Sequence, residues 1–398
     1  MTHLKNLKAP RIEMVDALRG FAIMSIMLLH NIEHFEYVYL PENLPNWLQI
    51  IDKAVWNTMF FIFGGKSYAI FALLFGFSYY IQNQNQQNQG KDFKLRFLWR
   101  LTLLMGFGII NTVFYQGDIL TMYALLGASL LPVTNISNKN LFIVATILML
   151  QPLEICKIAS NIITQNYQQT PNLSESYYAQ IGNYMKNGNF LDYAIGNLTL
   201  GKIASLLWSF ENGRFFQAPA LFMYGMLLGR TNYFSITPQS LQFWKKSLKI
   251  ATISFVPLYI FAQSIPQLPL QPVIANHLKI IFSSWSNFAF MVIIVALFIL
   301  LYQKNAINQT LNKLIPFGKM SLTNYIMQSM IGSFIYYRYG LGLFEYAGST
   351  CSLLIGIVLF ALQLRLCTWW LQKHKQGPLE KLWHKATWIS KSRVRNSH

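Results

Sequence analysis

Apolar runs close to the length of a membrane-spanning helix follow one another along most of the chain. The hydrocarbon core of a bilayer is about 30 Å thick, so a helix needs about 20 residues to cross it. Segments that approach this length lie at 15–34, 55–81, 95–115, 117–132, 140–158, 216–230, 247–263, 279–302, 320–339 and 350–371. The pattern predicts an all-α, polytopic integral membrane protein with about ten transmembrane helices, forming a single domain over 1–398.

Basic residues predict how these helices are oriented. Most of the 32 Lys and Arg residues fall at the N-terminus, in alternate loops and in a basic tail at 373–398. Lys and Arg concentrate on the cytoplasmic side of membrane proteins, so we expect both termini in the cytoplasm. The first segment holds Asp16 and Arg19 and lacks a small-residue cleavage pattern, so it is expected to remain as a helix rather than to be removed as a signal peptide.

Two connections are longer than the others. The stretch from Gln82 to Gly90 is rich in Gln and Asn, which predicts a flexible cytoplasmic linker. The segment at about 160–215 is predicted to form an external cap. Within it, Leu191 to Phe210 has the pattern of an amphipathic helix on the membrane surface, with Trp208 at the interface.

Composition agrees with a membrane protein and argues against a nucleic-acid partner. Only 12% of the residues are charged, against roughly 25% in soluble domains. The net charge of +18 comes from residues that punctuate apolar segments, whereas a nucleic-acid surface needs clustered basic residues. Cys156, Cys351 and Cys367 are widely spaced and are interpreted as packing residues.

The first helix carries ionisable residues at membrane depth, where they are costly and usually functional. Helical periodicity places Arg19, His30 and His34 on one stripe, with Asp16 close to Arg19. A histidine here suits a general base, a transient acyl acceptor or a proton relay. The alternatives are a hydrogen-bonded histidine packed between helices, a solvated His34, and an intrahelical Asp16–Arg19 pair.

Further candidates lie on later helices. Gly64 and Gly65 permit a helix break before Lys66, which either binds an anionic group or forms a buried ion pair with Asp16 or a glutamate. Arg214 is either a substrate-orienting cation or the partner of Glu211 at the start of a helix. Asn324 and Gln328, at i and i+4, are either ligand contacts or interhelical hydrogen-bonding groups.

Several mechanisms lose support because their motifs are missing. There is no Walker loop, dinucleotide-binding glycine motif, HExxH or GxSxG, and no third ligand that would complete a metal site with the two histidines. We therefore predict no metal and no permanently bound cofactor. No internal repeat of the kind found in many secondary transporters is visible.

Several motifs resemble those of the YeiB-type bacterial membrane proteins. The similar stretches are RIEMVDALRGFAIMSIMLLHNI, GKSYAIFALLFGFSYYIQ, MYGMLLGR, GKMSLTNYIMQSMI with RYGLGLF, and GPLEKLW. They cover nearly the whole chain in order, and the resemblance implies a multi-pass protein of the bacterial cytoplasmic (inner) membrane. The function of that family is largely unknown.

The opening helix is also similar to that of the heparan-glucosaminide acetyltransferase and acyltransferase 3 families. This resemblance implies transfer of an acyl group, typically acetyl, from cytoplasmic acyl-CoA to a hydroxyl or amine of an extracytoplasmic glycan or similar small-molecule acceptor. It implies that His30 acts in catalysis and that Arg19 contacts the donor, with acyl-CoA as a co-substrate. Lys66, or the backbone near Gly64, is then a candidate for stabilising the oxyanion.

Two other hypotheses remain open. A transporter or flippase for an amphipathic or anionic small molecule would use Lys66, Arg214 and the stripe on the first helix to line a path. A non-catalytic membrane scaffold would need the same residues only for folding. The membrane lipids are expected partners in each case, and the sequence leaves an oligomer open.

Overall fold

The computed structural model describes residues 12–35, 41, 44–165, 167–168 and 171–389, and this part of the chain is helical without a strand. The helices are α1 (Glu13–Ile32), α2 (Asn46–Phe63), α3 (Ser67–Gln87), α4 (Lys94–Thr112), α5 (Leu120–Gly127), α6 (Asn138–Met149), α7 (Pro152–Thr164), α8 (Leu173–Asn187), α9 (Phe190–Gly196), α10 (Lys202–Glu211), α11 (Arg214–Arg230), α12 (Pro238–Ser264), α13 (Pro272–Tyr302), α14 (Asn305–Asn312), α15 (Ile315–Lys319), α16 (Ser321–Tyr336), α17 (Ser349–Lys373) and α18 (Pro378–Thr387). The all-α prediction is confirmed.

In the part of the chain that the structure describes, five helical stretches are long and apolar enough to cross a membrane. They are Glu13–Ile32, Asn46–Gln87, Pro238–Gln267, Pro272–Tyr302 and Ser349–Lys373. A sixth results if α6 and α7, which meet at an angle of 49°, are counted as one broken span. Among the described residues, five or six apolar stretches thus have the length and composition of membrane spans, and each of the other predicted segments coincides with a shorter or more polar helix.

The Gly64–Lys66 turn interrupts the second of these stretches, where the paired glycines permit a break. Gly65 has φ of +73°, a conformation that glycine adopts without steric cost. The predicted linker at Gln82–Gly90 is largely wrong, because α3 continues to Gln87. Glutamine is a good helix former, so a polar composition does not by itself end a helix.

Helix α1 lies at the centre of the bundle and packs against α3, α15, α16 and α17. Small residues allow the closest approach. A Cβ added to Gly318 of α15 would lie 1.8 Å from the backbone oxygen of Asp16, so the two helices touch through their backbones. This contact fixes the end of α1 that carries Asp16 and Arg19.

Helices α3 and α11 approach each other in the same way. A Cβ on Gly225 of α11 would lie 1.8 Å from the backbone oxygen of Leu73, and one on Gly76 of α3 would lie 1.8 Å from that of Phe222. At each glycine, the backbone of the other helix therefore occupies the space that a side chain would need.

The segment predicted as a cap contains α8, α9 and α10, hereafter the cap helices. A π-helical stretch, Asn197–Gly201, joins α9 to α10. Leu191, Ile195 and Leu198 are exposed on one side of this bent helix, which agrees with its predicted amphipathic character. The cap helices share a second hydrophobic cluster with Phe35, Tyr115 and the end of α16.

The three cysteines are all free. Cys367 is buried and packs in the bundle, as expected. Cys156 and Cys351 are exposed, so the packing interpretation holds for one cysteine of the three.

Candidate functional site

A cavity of about 560 Å³ lies between α1, α3, α4, α16 and α18. Its open end, called the mouth below, is lined by Arg19, Gln82, Asn85, Gln86, Gln89, Arg100, Lys319, Gln376, Glu380 and His384. Its inner end is lined by Phe71, Leu74, Phe75, Leu101, Leu104, Leu120, Tyr123 and Tyr325. Asp16 lines the polar side as well, so this side carries both cations and carboxylates, and the other side is apolar.

One stripe of α3 runs along the whole cavity. The residues of this stripe follow one another at helical spacing and are half-buried, whereas most other residues of α3 up to this point are buried. They are Phe71, Phe75, Ser78 and Gln82. The rise of 1.5 Å per residue makes the distance from Phe71 to Gln86 roughly 22 Å. The cavity is thus deep, and the amides of the predicted linker line its mouth instead of lying free in solvent.

Asp16 and Arg19 lie where the first helix meets the cavity. Arg19 Nη1 donates to Asp16 Oδ1 at 2.9 Å, which is the predicted intrahelical pair, and Nη2 donates to Ser78 Oγ of α3 at 3.0 Å. Both residues line the cavity. Arg19 therefore joins α1 to α3 while keeping its guanidinium at the cavity wall.

His30 lies just beyond the inner end. Its ring centroid is 6.4 Å from that of Tyr325, which lines the cavity, and 4.6 Å from that of Tyr115 on the other side. The side chain is half-buried, and its Nδ1 is buried without a hydrogen-bond partner among the described residues. Tyr325 thus lines the cavity and lies near the imidazole, and His30 is not itself part of the lining.

The loop between α4 and α5 packs against His30. Tyr115 belongs to this loop, and the backbone N–H of Ile119 donates to Tyr325 Oη at 3.1 Å. The π-helical stretch also contacts this loop, because Asn197 Nδ2 donates to the backbone oxygen of Val113 at 3.2 Å. The surroundings of His30 are thereby connected to the cap helices.

Asp118 anchors the same loop. Its carboxylate is buried, accepts hydrogen bonds from Asn111 Nδ2 and the Thr121 backbone N–H, and lies 3.7 Å from Lys202 Nζ of α10. Burial raises the pKa of the Asp118 carboxyl, and the Lys202 ammonium and these hydrogen bonds oppose that rise. The pair was missed from the sequence because its members lie in different predicted segments.

Helix α18 forms one wall of the mouth. The guanidinium of Arg100 lies 4.2 Å from the ring of Trp383, and that of Arg96 lies 4.7 Å from the ring of Trp388. Glu380 accepts hydrogen bonds from the backbone N–H groups of Leu322 and Thr323, at 2.7 and 3.1 Å, and so caps α16. The part of the predicted basic tail that the structure describes is therefore docked on the bundle.

His34 lies away from this site. Helix α1 ends at Ile32, and His34 has φ of +49°, so it leaves the predicted stripe. Its ring stacks on Tyr336, and its Nε2 lies 2.8 Å from Ser352 Oγ of α17. The stripe prediction is thus wrong for His34, because a helical periodicity applies only as far as the helix extends.

Lys66 and Arg214 lie near the opposite end of α3 from the mouth. Lys66 is buried, its Nζ lies 5.8 and 5.5 Å from the rings of Phe61 and Phe290, and no carboxylate pairs with it among the described residues. The guanidinium of Arg214 lies between the rings of Trp208 and Tyr68, at 4.2 and 4.6 Å. Neither cation lines the cavity.

The acidic partners predicted for these cations are engaged elsewhere. Asp16 pairs with Arg19, and Glu211 accepts hydrogen bonds from Ser174 at the start of α8. The alternative ion pairs of Lys66 with Asp16 and of Arg214 with Glu211 are therefore wrong, and aromatic faces take the place of the carboxylates.

Asn324 and Gln328 are both buried on α16. Asn324 donates to the backbone oxygen of Phe317 at 3.0 Å and accepts from Cys367 Sγ at 3.2 Å, so it links helices. Both polar atoms of the Gln328 amide are buried without a hydrogen-bond partner in the described part of the chain. The structure does not bring either residue to the cavity wall.

Sequence reasoning missed Tyr115, Tyr325 and Arg100 as members of the site. Tyr325 lies between Asn324 and Gln328 in the sequence, and its place in that polar stretch was the available signal. No group of three or more His, Cys, Asp or Glu residues that could hold a metal ion is found in the part of the chain that the structure describes.

Comparison with known proteins places the chain among bacterial relatives. A family model described as a protein of unknown function (DUF418) matches residues 228–390. Uncharacterized protein YxaH of Bacillus subtilis (strain 168) is 29% identical over 396 residues, covering 96% of this chain and 95% of the relative. Uncharacterized protein YeiB of Escherichia coli (strain K12) is 26% identical over 403 residues, covering 94% and 95%.

No solved structure matches the chain. The two relatives match it nearly end to end, and the family model matches its C-terminal part, which contains α12 to α18. These matches confirm the resemblance to YeiB, and the descriptions of the relatives state no activity. The chain is therefore similar to YeiB-like proteins of unknown function.

Proposed function

We propose that the protein is a membrane-embedded acyltransferase that moves an acyl group from cytoplasmic acyl-CoA to a hydroxyl or amine of an extracytoplasmic glycan or similar acceptor. The proposal includes about ten spans in a bacterial inner membrane, with both termini in the cytoplasm. In this orientation the cavity mouth faces the cytoplasm and the cap helices lie outside.

One observation carries the proposal: Tyr325 lines the cavity, and its ring centroid lies 6.4 Å from that of His30. A donor that fills the cavity from the mouth would bring its inner end close to the only histidine of the α1 helix. Histidine is the commonest general base in enzymes, because its ordinary pKa lies near neutral pH.

The mouth suits the nucleotide part of the donor. Arg19, Arg100 and Lys319 line the cavity together with Asp16 and Glu380, and Arg19 is paired with Asp16, so Arg100 and Lys319 are the cations for phosphate oxygens, which accept hydrogen bonds from such groups. Trp383 lies beside Arg100 and offers an aromatic surface. The amides of Gln82, Asn85, Gln86 and Gln89 add donors and acceptors for a polar ligand.

The proposed reaction balances without a further reactant. His30 removes the proton from the acceptor hydroxyl or amine, whose oxygen or nitrogen attacks the thioester carbonyl carbon. The carbon–sulfur bond breaks, the new ester or amide bond forms, and the CoA sulfur receives the proton from the imidazolium. Lys66 and Arg214 lie outside the cavity lining, so this scheme gives them no step.

Transport of an amphipathic or anionic small molecule is the second candidate. It is supported by the presence of cations at both ends of α3: Arg19, Arg100 and Lys319 at the mouth, and Lys66 and Arg214 at the other end. A path along α3 would need these two groups to be connected, and Tyr123 and Tyr325 close the inner end of the cavity.

The test uses purified full-length protein in proteoliposomes with acetyl-CoA labelled in the acetyl group. With a sugar acceptor present, we expect release of CoA and appearance of label on the acceptor, with a loss of at least 100-fold for His30→Gln. His374→Gln is the matched control, because His374 stacks on Trp370 outside the cavity. Absence of CoA release together with counterflow of a labelled solute would overturn the enzyme and support the transporter.

A further inference from the structure

A groove of about 480 Å³ lies on the cap helices, between α8 and the bent helix that α9 and the π-helical stretch form. Its lining consists of Tyr184, Gly188, Asp192, Ile195, Gly196, Thr199 and Leu200. No residue lines both this groove and the cavity described above. Small-molecule sites in proteins have volumes of about 300–1,000 Å³, so the groove has room for a ligand of moderate size.

The ring of Tyr184 forms the aromatic part of the groove. A Cβ added to Gly196 would lie 2.5 Å from atoms of this ring, so the missing side chain lets the ring pack directly against the bent helix. Tyr184 is half-buried and lines the groove, so a ligand that fills the groove contacts it. The C–H groups on one face of a sugar ring pack well against an aromatic side chain, because both surfaces are apolar.

Polar side chains lie on the same lining. Asp192 is exposed, and its Oδ2 accepts a hydrogen bond from the Asn189 backbone N–H at 2.9 Å, which leaves Oδ1 for a ligand. Thr199 is exposed, and its hydroxyl donates to the backbone oxygen of Ile195 at 2.7 Å, so the hydroxyl oxygen can still accept. An aromatic surface beside carboxylate and hydroxyl acceptors suits a saccharide, whose hydroxyl groups surround apolar faces.

Charge narrows the class of saccharide. Asp192 is the one residue of the described lining that is charged at neutral pH. A carboxylate or phosphate on the ligand would be repelled by this side chain, whereas a neutral sugar or an amino sugar would not. The groove therefore suits an uncharged or amine-bearing saccharide.

The groove is connected to the surroundings of His30. Tyr184 Oη lies 3.4 Å from Oε1 of Gln116, in the loop between α4 and α5. The preceding residue of that loop, Tyr115, has its ring centroid 4.6 Å from that of His30. π-Helical turns occur frequently at functional sites, and Asn197–Gly201 both lines the groove and contacts this loop. A ligand in the groove is thus linked to His30 through a single loop.

We infer that this groove is a subsite for the acceptor glycan, and that it holds a neutral or amine-bearing saccharide unit beside the unit that is acylated. The inference rests on the proposed function and gives its acceptor a place on the molecule. Donor and acceptor then bind to different elements: the donor in the cavity, and the glycan on the cap helices, which lie outside in the proposed orientation.

The experiment measures binding of three trisaccharides to the full-length protein in lipid nanodiscs by saturation-transfer NMR, with empty nanodiscs as the blank. The probes are N-acetylated chitotriose, which is neutral, its deacetylated form, which is cationic, and trigalacturonate, which is anionic. We expect the first two to bind about fivefold or more tightly than trigalacturonate, because of Asp192. Equal binding of trigalacturonate would overturn the inference, and so would absence of transfer to all three probes.

Two sets of variants test the position of the saccharide. Thr199→Tyr fills the groove from an exposed position and should weaken binding of N-acetylated chitotriose about tenfold, whereas Gln180→Tyr, exposed on α8 outside the lining, should not. Tyr184→Phe keeps the ring and removes the hydroxyl beside Gln116, so it should retain the affinity that Tyr184→Leu loses. Equal loss in both Tyr184 variants would overturn the ring contact, because the hydroxyl would then act through the packing of the cap helices.

Release of CoA, measured on the same preparations with glucosamine as a small acceptor, separates this inference from the proposed function. CoA release without binding of any trisaccharide would overturn the subsite and leave the acyltransferase standing. Trisaccharide binding that Thr199→Tyr abolishes, in a protein that releases no CoA, would overturn the acyltransferase and leave the groove as a saccharide site.

Discussion

Lys202 of α10 joins the cap helices to the loop that packs against His30. Its Nζ donates to the backbone oxygen of Asp118 at 2.8 Å and lies 3.7 Å from the carboxylate Oδ2 of the same residue. Asp118 is buried, and the Lys202 side chain is largely so. The two residues form an internal ion pair between segments that are 84 residues apart in the sequence.

We predict that Lys202→Met lowers the free energy of unfolding by about 3 kcal/mol, because it leaves the Asp118 carboxylate buried without a cation. Adding Asp118→Asn should recover part of this loss, since the remaining partner is then neutral. Thermal unfolding in detergent, followed by tryptophan fluorescence, measures both effects. Lys246→Met is the control, as Lys246 is exposed on α12; equal losses in the two Lys→Met variants would contradict the prediction.

A second prediction concerns the contact between α3 and α11. Gly225→Ala places a Cβ about where the backbone oxygen of Leu73 lies, so the helices must separate and we expect a loss of about 1–3 kcal/mol. Gly106→Ala is the matched control on α4, because nothing lies within 4 Å of its added Cβ. Alanine is the better helix former, so this variant should be slightly more stable than wild type.

The same unfolding measurement applies to both glycine variants. A lower free energy of unfolding for Gly225→Ala and a higher one for Gly106→Ala would show that the room available for the added Cβ, rather than helix propensity, decides how each substitution changes stability. A neutral Gly225→Ala would mean that α3 and α11 are less closely packed than their backbones indicate.

The sequence predicted the helices well because burial in a membrane selects long apolar runs. The segments at 15–34, 279–302 and 350–371 coincide with α1, α13 and α17. The lengths were less predictable. Helix α3 extends through Gln82 to Gln87, because the amides face a polar cavity rather than lipid, and a composition argument cannot distinguish a solvated loop from a polar helix face.

Candidate functional residues could be identified from the sequence, because ionisable side chains are energetically costly in apolar segments. The residues that they contact could not be identified in this way. A buried Lys66 was predicted to need a partner, and the structure provides two aromatic rings from α2 and α13 instead of a carboxylate. Asp118 and Lys202 meet only because the chain folds back, and no local pattern relates them. His30 and Tyr325 are likewise brought together by the packing of α1 with α16.

The docking of α18 gives a third prediction. Arg100→Ala removes the cation that lies against the ring of Trp383 and should weaken the contact by about 1–2 kcal/mol. The amides of Pro378–Thr387 should then exchange with deuterium about tenfold faster, which mass spectrometry of this segment measures. Lys94→Ala on the same helix is the control, since its side chain is exposed. Unchanged exchange in Arg100→Ala would mean that Glu380 and Arg96 hold α18 by themselves.

The last prediction separates the two histidines that the sequence grouped together. His34→Gln should lower the free energy of unfolding by about 1–3 kcal/mol, because His34 is buried, stacks on Tyr336 and bonds to Ser352 across the α1–α17 interface. The same variant should retain acyl transfer per folded molecule, because His34 does not contact the cavity. His30→Gln should show the converse: near wild-type unfolding and lost transfer, since the buried Nδ1 of His30 has no hydrogen-bond partner to lose among the described residues. Measuring unfolding and turnover on the same preparations distinguishes the two roles, and loss of turnover in a fully folded His34→Gln protein would place that residue in the chemistry as well.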